Sequence, residues 1–313
     1  MKLSVVATLY QSAPFIAEFH RRVSEAAQRY AGENYEIVLV NDGSPDGSLA
    51  IAVELAKSDP RTVVVDLSRN FGHHKAMMTG MAHAKGGHIF LLDSDLEEDP
   101  AWLDPFAAIQ QQTGADVVFG VQERRSGRLF EKVSGYFFYR IFRALSGLAL
   151  PDNVVVARLM TRRYVSALLL HGEREVFIDG LWVITGFKQL PIKITKVRRT
   201  GTTYTLRRKL AQFVDSVTSF SNRPLMGILA AGTCISILAF FFIFYLIANR
   251  LMWNTPTSGW TSVMASLWLL GGFIMMSLGI LGIYISKLFS EVKQRPYTIV
   301  REIYGRGQTR DQA

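Results

Sequence analysis

Residues 88–100 read HIFLLDSDLEEDP, an apolar run that stops at Leu92 and passes straight into carboxylates. A short run of this kind is the signature of a strand buried on both faces, as in a parallel sheet covered by helices. Asp93, Asp95, Glu97, Glu98 and Asp99 then place five carboxylates within seven positions. At that density they repel one another unless a cation or solvent shares the charge. Oxygen donors suit a hard divalent ion, Mg2+ or Mn2+, which against a diphosphate would stabilise a departing nucleotide. A solvated acidic turn capping the helix from Trp102 is the plainer alternative. The wholly apolar strand ahead of Asp93 and Asp95 instead puts both at the strand's buried mouth.

Outward from this stretch, the chain alternates β-branched runs with helical ones. Strands are expected at Leu3–Leu9, Glu36–Val40, Thr62–Leu67, His88–Leu92 and Asp116–Phe119, and helices at Phe15–Tyr30, Ser48–Ser58, Lys75–Ala84 and Trp102–Gln112. Strands with helical crossovers give an α/β fold with a mostly parallel sheet, whose ligands bind beyond the carboxyl ends of the strands. The second strand runs into Asn41-Asp42-Gly43-Ser44. An Asp there can accept hydrogen bonds from a ribose or base, and glycine lets a ligand approach. A plain turn explains this Asp-Gly pair, and Asp46-Gly47, equally well. After the third strand comes Arg69-Asn70-Phe71-Gly72-His73-His74-Lys75, opening a helix. Its N-terminal amides, with Lys75 and the histidines, can hold phosphate oxygens. Adjacent histidines point in different directions and no HExxH spacing occurs, which speaks against a histidine metal site. His83, in mid-helix, reads as structural.

The 313 residues are 49% hydrophobic and 19% charged, with a mean hydropathy of +0.17, high for a chain wholly in water. One cysteine, Cys234, excludes a disulfide framework and a cysteine zinc site. Residues 1–192 carry 20 Lys and Arg against 22 Asp and Glu, a net of −2, whereas residues 193–313 carry 15 against 4, a net of +11. A nucleic-acid partner is not expected, because the basic excess flanks apolar segments instead of lying on the folded domain. Leu225–Ile247 and Val263–Ile285 are 23 residues each without a charge. At about 1.5 Å per residue each exceeds a hydrocarbon core of about 30 Å, so both are expected to span a bilayer. Eight Lys and Arg lie between Lys193 and Pro224 and six after Ile285, against only Arg250 in the connector 248–262. The expectation is therefore a multi-pass protein of the inner (cytoplasmic) membrane with both termini cytoplasmic. The eight apolar residues after Lys2 do not read as a signal peptide. Four regions result: a cytoplasmic domain 1–204, a juxtamembrane amphipathic helix 205–224, a transmembrane hairpin 225–285 and a basic cytoplasmic tail 286–313. An ordinary domain helix packed on the sheet is the alternative for the second.

The order of strand-Asn41-Asp42-Gly43-Ser44, Arg69-Asn70-Phe71-Gly72, Asp93-Ser94-Asp95 and Arg124-Arg125, followed by two apolar helices, resembles the polyprenyl-phosphate glycosyltransferases of glycosyltransferase family 2. Bactoprenol glucosyltransferases, aminoarabinose-type undecaprenyl-phosphate transferases and dolichyl-phosphate mannose synthases belong to that group. Ser216–Pro224 is similar to the family's segment entering the membrane. The resemblance implies a GT-A fold and a nucleotide-sugar site holding Thr8, Asp42, Asn70, Lys75, Asp93 and Arg125. It makes Asp93 and Asp95 the catalytic acidic pair, with Asp95, Glu97 and Asp93 as the metal ligands. The departures are Glu97, where relatives often carry Gln; His73-His74, where Lys-Glu is frequent; and Val156, where an Asp two residues before Arg158 is common. That Asp would have been a candidate base.

A base is dispensable if the acceptor is a lipid phosphate, whose second pKa of about 6 leaves it ionised at neutral pH. Such an acceptor needs positioning and charge stabilisation. Arg158, Arg198, Arg199, Arg207 and Arg208 are the candidate ligands of its phosphate, with Arg162 and Arg163 able to contribute, although general lipid-surface contact explains any single one. Glu173 and Arg174 are assigned to the rim of the active site, a surface ion cluster being the other reading. The function expected is transfer of a sugar from a nucleotide sugar, UDP-linked as a first choice, to undecaprenyl phosphate at a bilayer surface, with inversion implied by the resemblance. Family members form tetramers, so a homo-oligomer is open. Two further classes stay open: a catalytically silent sugar-nucleotide sensor or scaffold, and a processive polysaccharide synthase. Two helices and the lack of a Gln-x-x-Arg-Trp motif count against the synthase.

Overall fold

In the computed structural model, the described residues are 1–122, 153–174, 176–196, 218, 221–253 and 259–305. They fall into two compact units, one running to 196 and resuming at Arg295, the other ending at Gln294.

The first unit is built on eight strands: β1 (Leu3–Leu9), β2 (Tyr35–Asn41), β3 (Thr62–Leu67), β4 (His88–Leu91), β5 (Val117–Gln122), β6 (Val154–Thr161), β7 (Gln189–Ile194) and β8 (Val300–Tyr304). They form one sheet in the order β7-β5-β6-β4-β1-β2-β3-β8. β1 pairs in parallel with β2 and β4, β2 with β3, and β5 with β7, while β6 runs antiparallel between β4 and β5, and β8 antiparallel along β3. Every residue of β1, β2 and β3 is buried, as expected of strands covered on both faces. Each Val, Leu or Ile so enclosed contributes roughly 1.5–3 kcal/mol of transfer free energy.

The helices of this unit are α1 (Ile16–Ala31), α2 (Ser48–Ser58), α3 (His73–His83), α4 (Leu103–Thr113), α5 (Arg162–Leu168) and α6 (Ile178–Ile184). α1 buries Ile16, Phe19, Val23, Ala26 and Ala27, a stripe at helical spacing, and leaves Arg21, Glu18 and Glu25 to solvent. Pro100 opens a single 3-10 turn ahead of α4, with the Asp99 side chain accepting from the Ala101 N–H. α3 begins two residues before the expected Lys75. Gly72, at φ 101°, supplies the left-handed turn, so both histidines enter the helix's first turn.

The C-terminal segment departs from expectation. Instead of a tail from 286, the second unit's last helix continues to Val292, and Val300–Tyr304 adds the edge strand β8. β3 would otherwise present an unpaired edge; β8 covers it, and Arg301 reaches the buried Asp66 at 3.4 Å and the Ser68 carbonyl at 2.6 Å. The β5 strand lies at Val117–Gln122, a few residues beyond the expected Asp116–Phe119. Asp116 instead receives Arg163 and the Thr161 hydroxyl.

The second unit is dominated by α7 (Arg223–Trp253) and α8 (Trp260–Val292), of 31 and 33 residues. Arg223–Phe242 and Ser266–Val292 are long and apolar enough to cross a membrane by length and composition. Their large apolar side chains are exposed, Phe240 by 68% and Trp268 by 82%. The expected juxtamembrane helix, except for residues 218 and 221–224, lies outside the described residues.

Candidate active site

Six of the eight strands point their carboxyl ends to one rim, and the site is assembled there. At the end of β4 the chain turns through Leu96, held at φ 62°, which costs an L-residue roughly 1–2 kcal/mol. The turn lets Asp95 Oδ1 accept the Glu97 N–H at 2.9 Å. Glu98 is fully buried; its two oxygens accept the N–H groups of Asp93 at 3.2 Å and of Val156 at 3.0 Å, tying the turn to β6. Burial, then the Asp93 carboxylate, pushes the Glu98 pKa up. Burial also raises Asp95, and Asp93 and Glu97 add to it. Among the described residues the basic groups within salt-bridge reach are Lys196, 3.5 Å from Glu97 and 3.5 Å from Glu98, His73, 3.3 Å from Asp93, and Arg22, 2.8 Å from Asp99. The turn thus carries more negative charge than its protein surroundings compensate.

Among the described residues, no three carboxylate, imidazole or thiol groups form a ready-made metal cage. Mg2+ and Mn2+ at phosphate sites do not require one: one or two carboxylates, waters and the phosphate oxygens complete the shell. Asp93 and Asp95, half-buried hard donors in an under-compensated cluster, fit such an ion. Glu97 is committed to Lys196 and could join only by leaving it.

The first turn of α3 faces the acidic turn. His73 Nδ1 lies 2.9 Å from the Thr8 hydroxyl at the end of β1, and its Nε2 lies 3.3 Å from Asp93 Oδ1. Burial alone would lower the His73 pKa, but the bond to Asp93 and the charges of Asp93, Glu98 and Asp42 outweigh it and raise it. His74 differs: burial lowers its pKa, and its Nδ1 must donate to the Val176 carbonyl at 3.2 Å. Thr8 and Asp93, both expected at the nucleotide sugar, are thereby joined through a histidine.

Asp42 is 2% exposed, and its two oxygens accept the N–H groups of Phe71 at 2.7 Å and Gly72 at 3.0 Å. It secures the loop leading into α3. Gly43, at φ 58°, lies so close to that loop that a Cβ would strike the backbone of Arg69 and Asn70. Asn41 completes the anchor, donating to Asp66 at 2.7 Å. Asn70 is exposed and Lys75 half-buried on α3.

A cleft of about 300 Å³ adjoins the turn, lined by His73, His74, Gln122, Asn153, Asp179 and Lys196, with Val154, Val155, Val156 and Trp182 beneath. The Val156 side chain occupies the place where a relative's Asp was considered, while its N–H serves Glu98. Arg158 corrects an expectation. It is 1% exposed, donates to the Val156 and Val155 carbonyls at 3.1 and 3.3 Å, and lies over the Trp182 ring. Burial lowers its pKa to about 9. An enclosed guanidinium of this kind supports the wall of the cleft and is not presented to a lipid headgroup. Glu173 and Arg174 are half-buried, and the charge of Arg174 acts on Tyr297, a residue of the C-terminal segment. Arg124, Arg125, Arg198, Arg199, Arg207 and Arg208 lie outside the described residues. Asp179 and Lys196 are the site residues that pattern reading did not single out, and neither carried a local signal; His73 was read only as a phosphate-facing histidine and Glu98 only as one of five crowded carboxylates.

With this geometry in hand, three comparisons bear on the chain. Residues 4–169 match the profile of glycosyl transferase family 2. A Mycobacterium tuberculosis protein described as a glycosyltransferase is 50% identical over 97% of this chain and 89% of its own. The prophage bactoprenol glucosyl transferase homolog of Escherichia coli K12 is 33% identical over 97% of this chain and 99% of its own. Among solved structures, the mannosyltransferase PcManGT of Pyrobaculum calidifontis, in complex with GDP-Man and Mn2+, is similar with a TM-score of 0.50 at 18% identity, covering 94% of this chain and 86% of its own. That likeness bears on the fold, which is GT-A-like.

Proposed function

The chain belongs to glycosyltransferase family 2 and is a glycosyltransferase, and from that premise we propose that it moves a sugar from a nucleotide donor onto a polyprenyl phosphate at a membrane surface. The observation that carries the reading is the under-compensated acidic turn, Asp93 to Glu98, at the rim of the sheet beside an open cleft. The acceptor is argued from the bactoprenol relative, matched over nearly its whole length, and from the two apolar helices.

Asp93 and Asp95 would hold Mg2+ or Mn2+, which when bound neutralises charge on the leaving diphosphate. His73, bridging Thr8 and Asp93, fixes the Asp93 rotamer at the rim. Asp42 and Gly43 hold the loop ahead of α3, so that Asn70, Lys75 and the amides of the helix's first turn frame the donor. The acceptor phosphate arrives ionised, so the mechanism needs no base at Val156. Arg125 on the nucleotide, and Arg198, Arg199, Arg207 and Arg208 on the lipid phosphate, complete the proposed set, with Glu173 and Arg174 at its rim. UDP is the first choice of nucleotide and undecaprenyl phosphate of lipid. The positive flanks of the apolar helices support a domain on the cytoplasmic side, and that orientation, with assembly of several copies through those helices, is part of the proposal.

The test is turnover. Purified protein with polyprenyl phosphate, Mg2+ or Mn2+ and a panel of radiolabelled nucleotide sugars should form one glycosylated lipid, stop on chelation and resume when the ion is restored. Donor binding without product across the panel would instead favour a silent sensor, and polymer a processive synthase.

A further inference from the structure

Two residues beyond the carboxyl end of β7, the Lys196 ammonium meets two carboxylates of unequal character. Glu98, at 3.5 Å, has no exposed side-chain surface and is also held by two backbone N–H groups. Glu97, at 3.5 Å, keeps 29% of its side chain exposed. One partner is enclosed and the other partly open to solvent. The lysine is itself only 20% exposed, lines the cleft, and feels the charges of Asp93 and Asp95 as well.

We propose that Lys196 is the resident counter-cation of the acidic turn, holding Glu97 and Glu98 in the ligand-free protein and giving up Glu97 when a divalent ion binds with the donor. It is a positioning residue: it acts through the carboxylates and keeps the turn from closing on a metal before the nucleotide sugar brings its phosphates. The inference rests on the glycosyltransferase reading above and deepens its account of the acidic turn. Glu98 then remains the tether on which the released ammonium pivots within the cleft.

The experiment measures Mn2+ affinity without donor, by the loss of the free-ion electron paramagnetic signal, on the full chain in detergent micelles. Lys196→Met should bind Mn2+ on the order of tenfold tighter than the unaltered protein, because a competing positive charge has gone. It should melt lower in metal-free buffer and recover more of its melting temperature when Mn2+ is added. Lys196→Arg should match the unaltered protein in both. Equal affinities in the unaltered protein and Lys196→Met, absence of Mn2+ binding in both, or an Arg variant that binds like the Met variant would each overturn the proposal. If Lys196→Met does not fold, Lys196→Gln carries the same expectations with a polar chain. The transfer assay, run in parallel, separates the two readings: transfer with equal Mn2+ affinities sinks the counter-cation alone, and the affinity difference without transfer sinks the transferase acceptor reading alone.

Discussion

Asp42 and Asp93 close the two strands that flank β1, and their carboxylates are engaged in opposite ways. At β2 both oxygens of Asp42 are taken by backbone N–H groups, the glycine behind it touches the same loop, and the carboxylate is satisfied before any ligand comes. At β4 the carboxylates crowd one another, burial raises Asp95 and Glu98, and their direct lysine partner is split between two of them. An aspartate followed by a small residue at a strand's end is therefore two different devices: an anchor where amides surround it, and a charge store where they do not. The basic residues repeat the contrast. Arg158 is spent on carbonyls within its own strand, whereas Lys196 stands between a half-buried and a fully buried carboxylate.

The comparison breaks most decisively at Asp95. Asp95→Asn should lower transfer by about 10³-fold while the melting temperature holds or rises, since one repelling charge is removed from the turn. Turnover and a thermal melt on the same sample decide it, and a variant that loses fold and activity together would erase the distinction from Asp42. Asp42→Asn should do the reverse in kind. It replaces an acceptor by a donor facing a buried N–H, costing roughly 1–3 kcal/mol and lowering the melting temperature by several degrees, with the loss of activity following the loop. Gly43→Ala sharpens the anchor further: the positive φ alone costs about 1–2 kcal/mol, and the methyl must displace the Arg69–Asn70 backbone, so the KM for the donor should rise more than kcat falls. The smallest effect belongs to Arg158→Met, which should leave the KM for polyprenyl phosphate unchanged. A large rise there would return this arginine to the acceptor site.

Much of the fold was legible because its signals are local. β1 and β3 lie where β-branched runs predict them, Leu3–Leu9 and Thr62–Leu67, and α2 lies at the expected Ser48–Ser58. The two long apolar helices were equally plain, since an uncharged run of that length has few other uses. β6, β7 and β8 were missed. All three are stabilised by partners far away in sequence, β6 between β4 and β5, β7 beside β5 and β8 along β3. Of the site, Asp93, Asp95 and Asp42 were visible as acidic strand ends, but nothing in Asn-Asp-Gly-Ser told that Asp42 faces two amides. His73 was read among the phosphate-facing residues, but with the helix start placed two residues late its bridge from Thr8 to Asp93 was not visible.

What the sequence determined by itself was the parity and period of its apolar residues, and hence strands, helices, the length of two membrane-sized segments and the presence of carboxylates where an apolar strand ends. What only the tertiary structure decided was which charges meet. β7 runs parallel to β5, and β6 reverses between β5 and β4, so the carboxyl end of β7 falls on the same rim as that of β4 and sets Lys196 against Glu97 across 99 positions of chain. Periodicity reports which face of an element is buried; strand order, a property of long-range pairing, settles which ends of the elements share a rim.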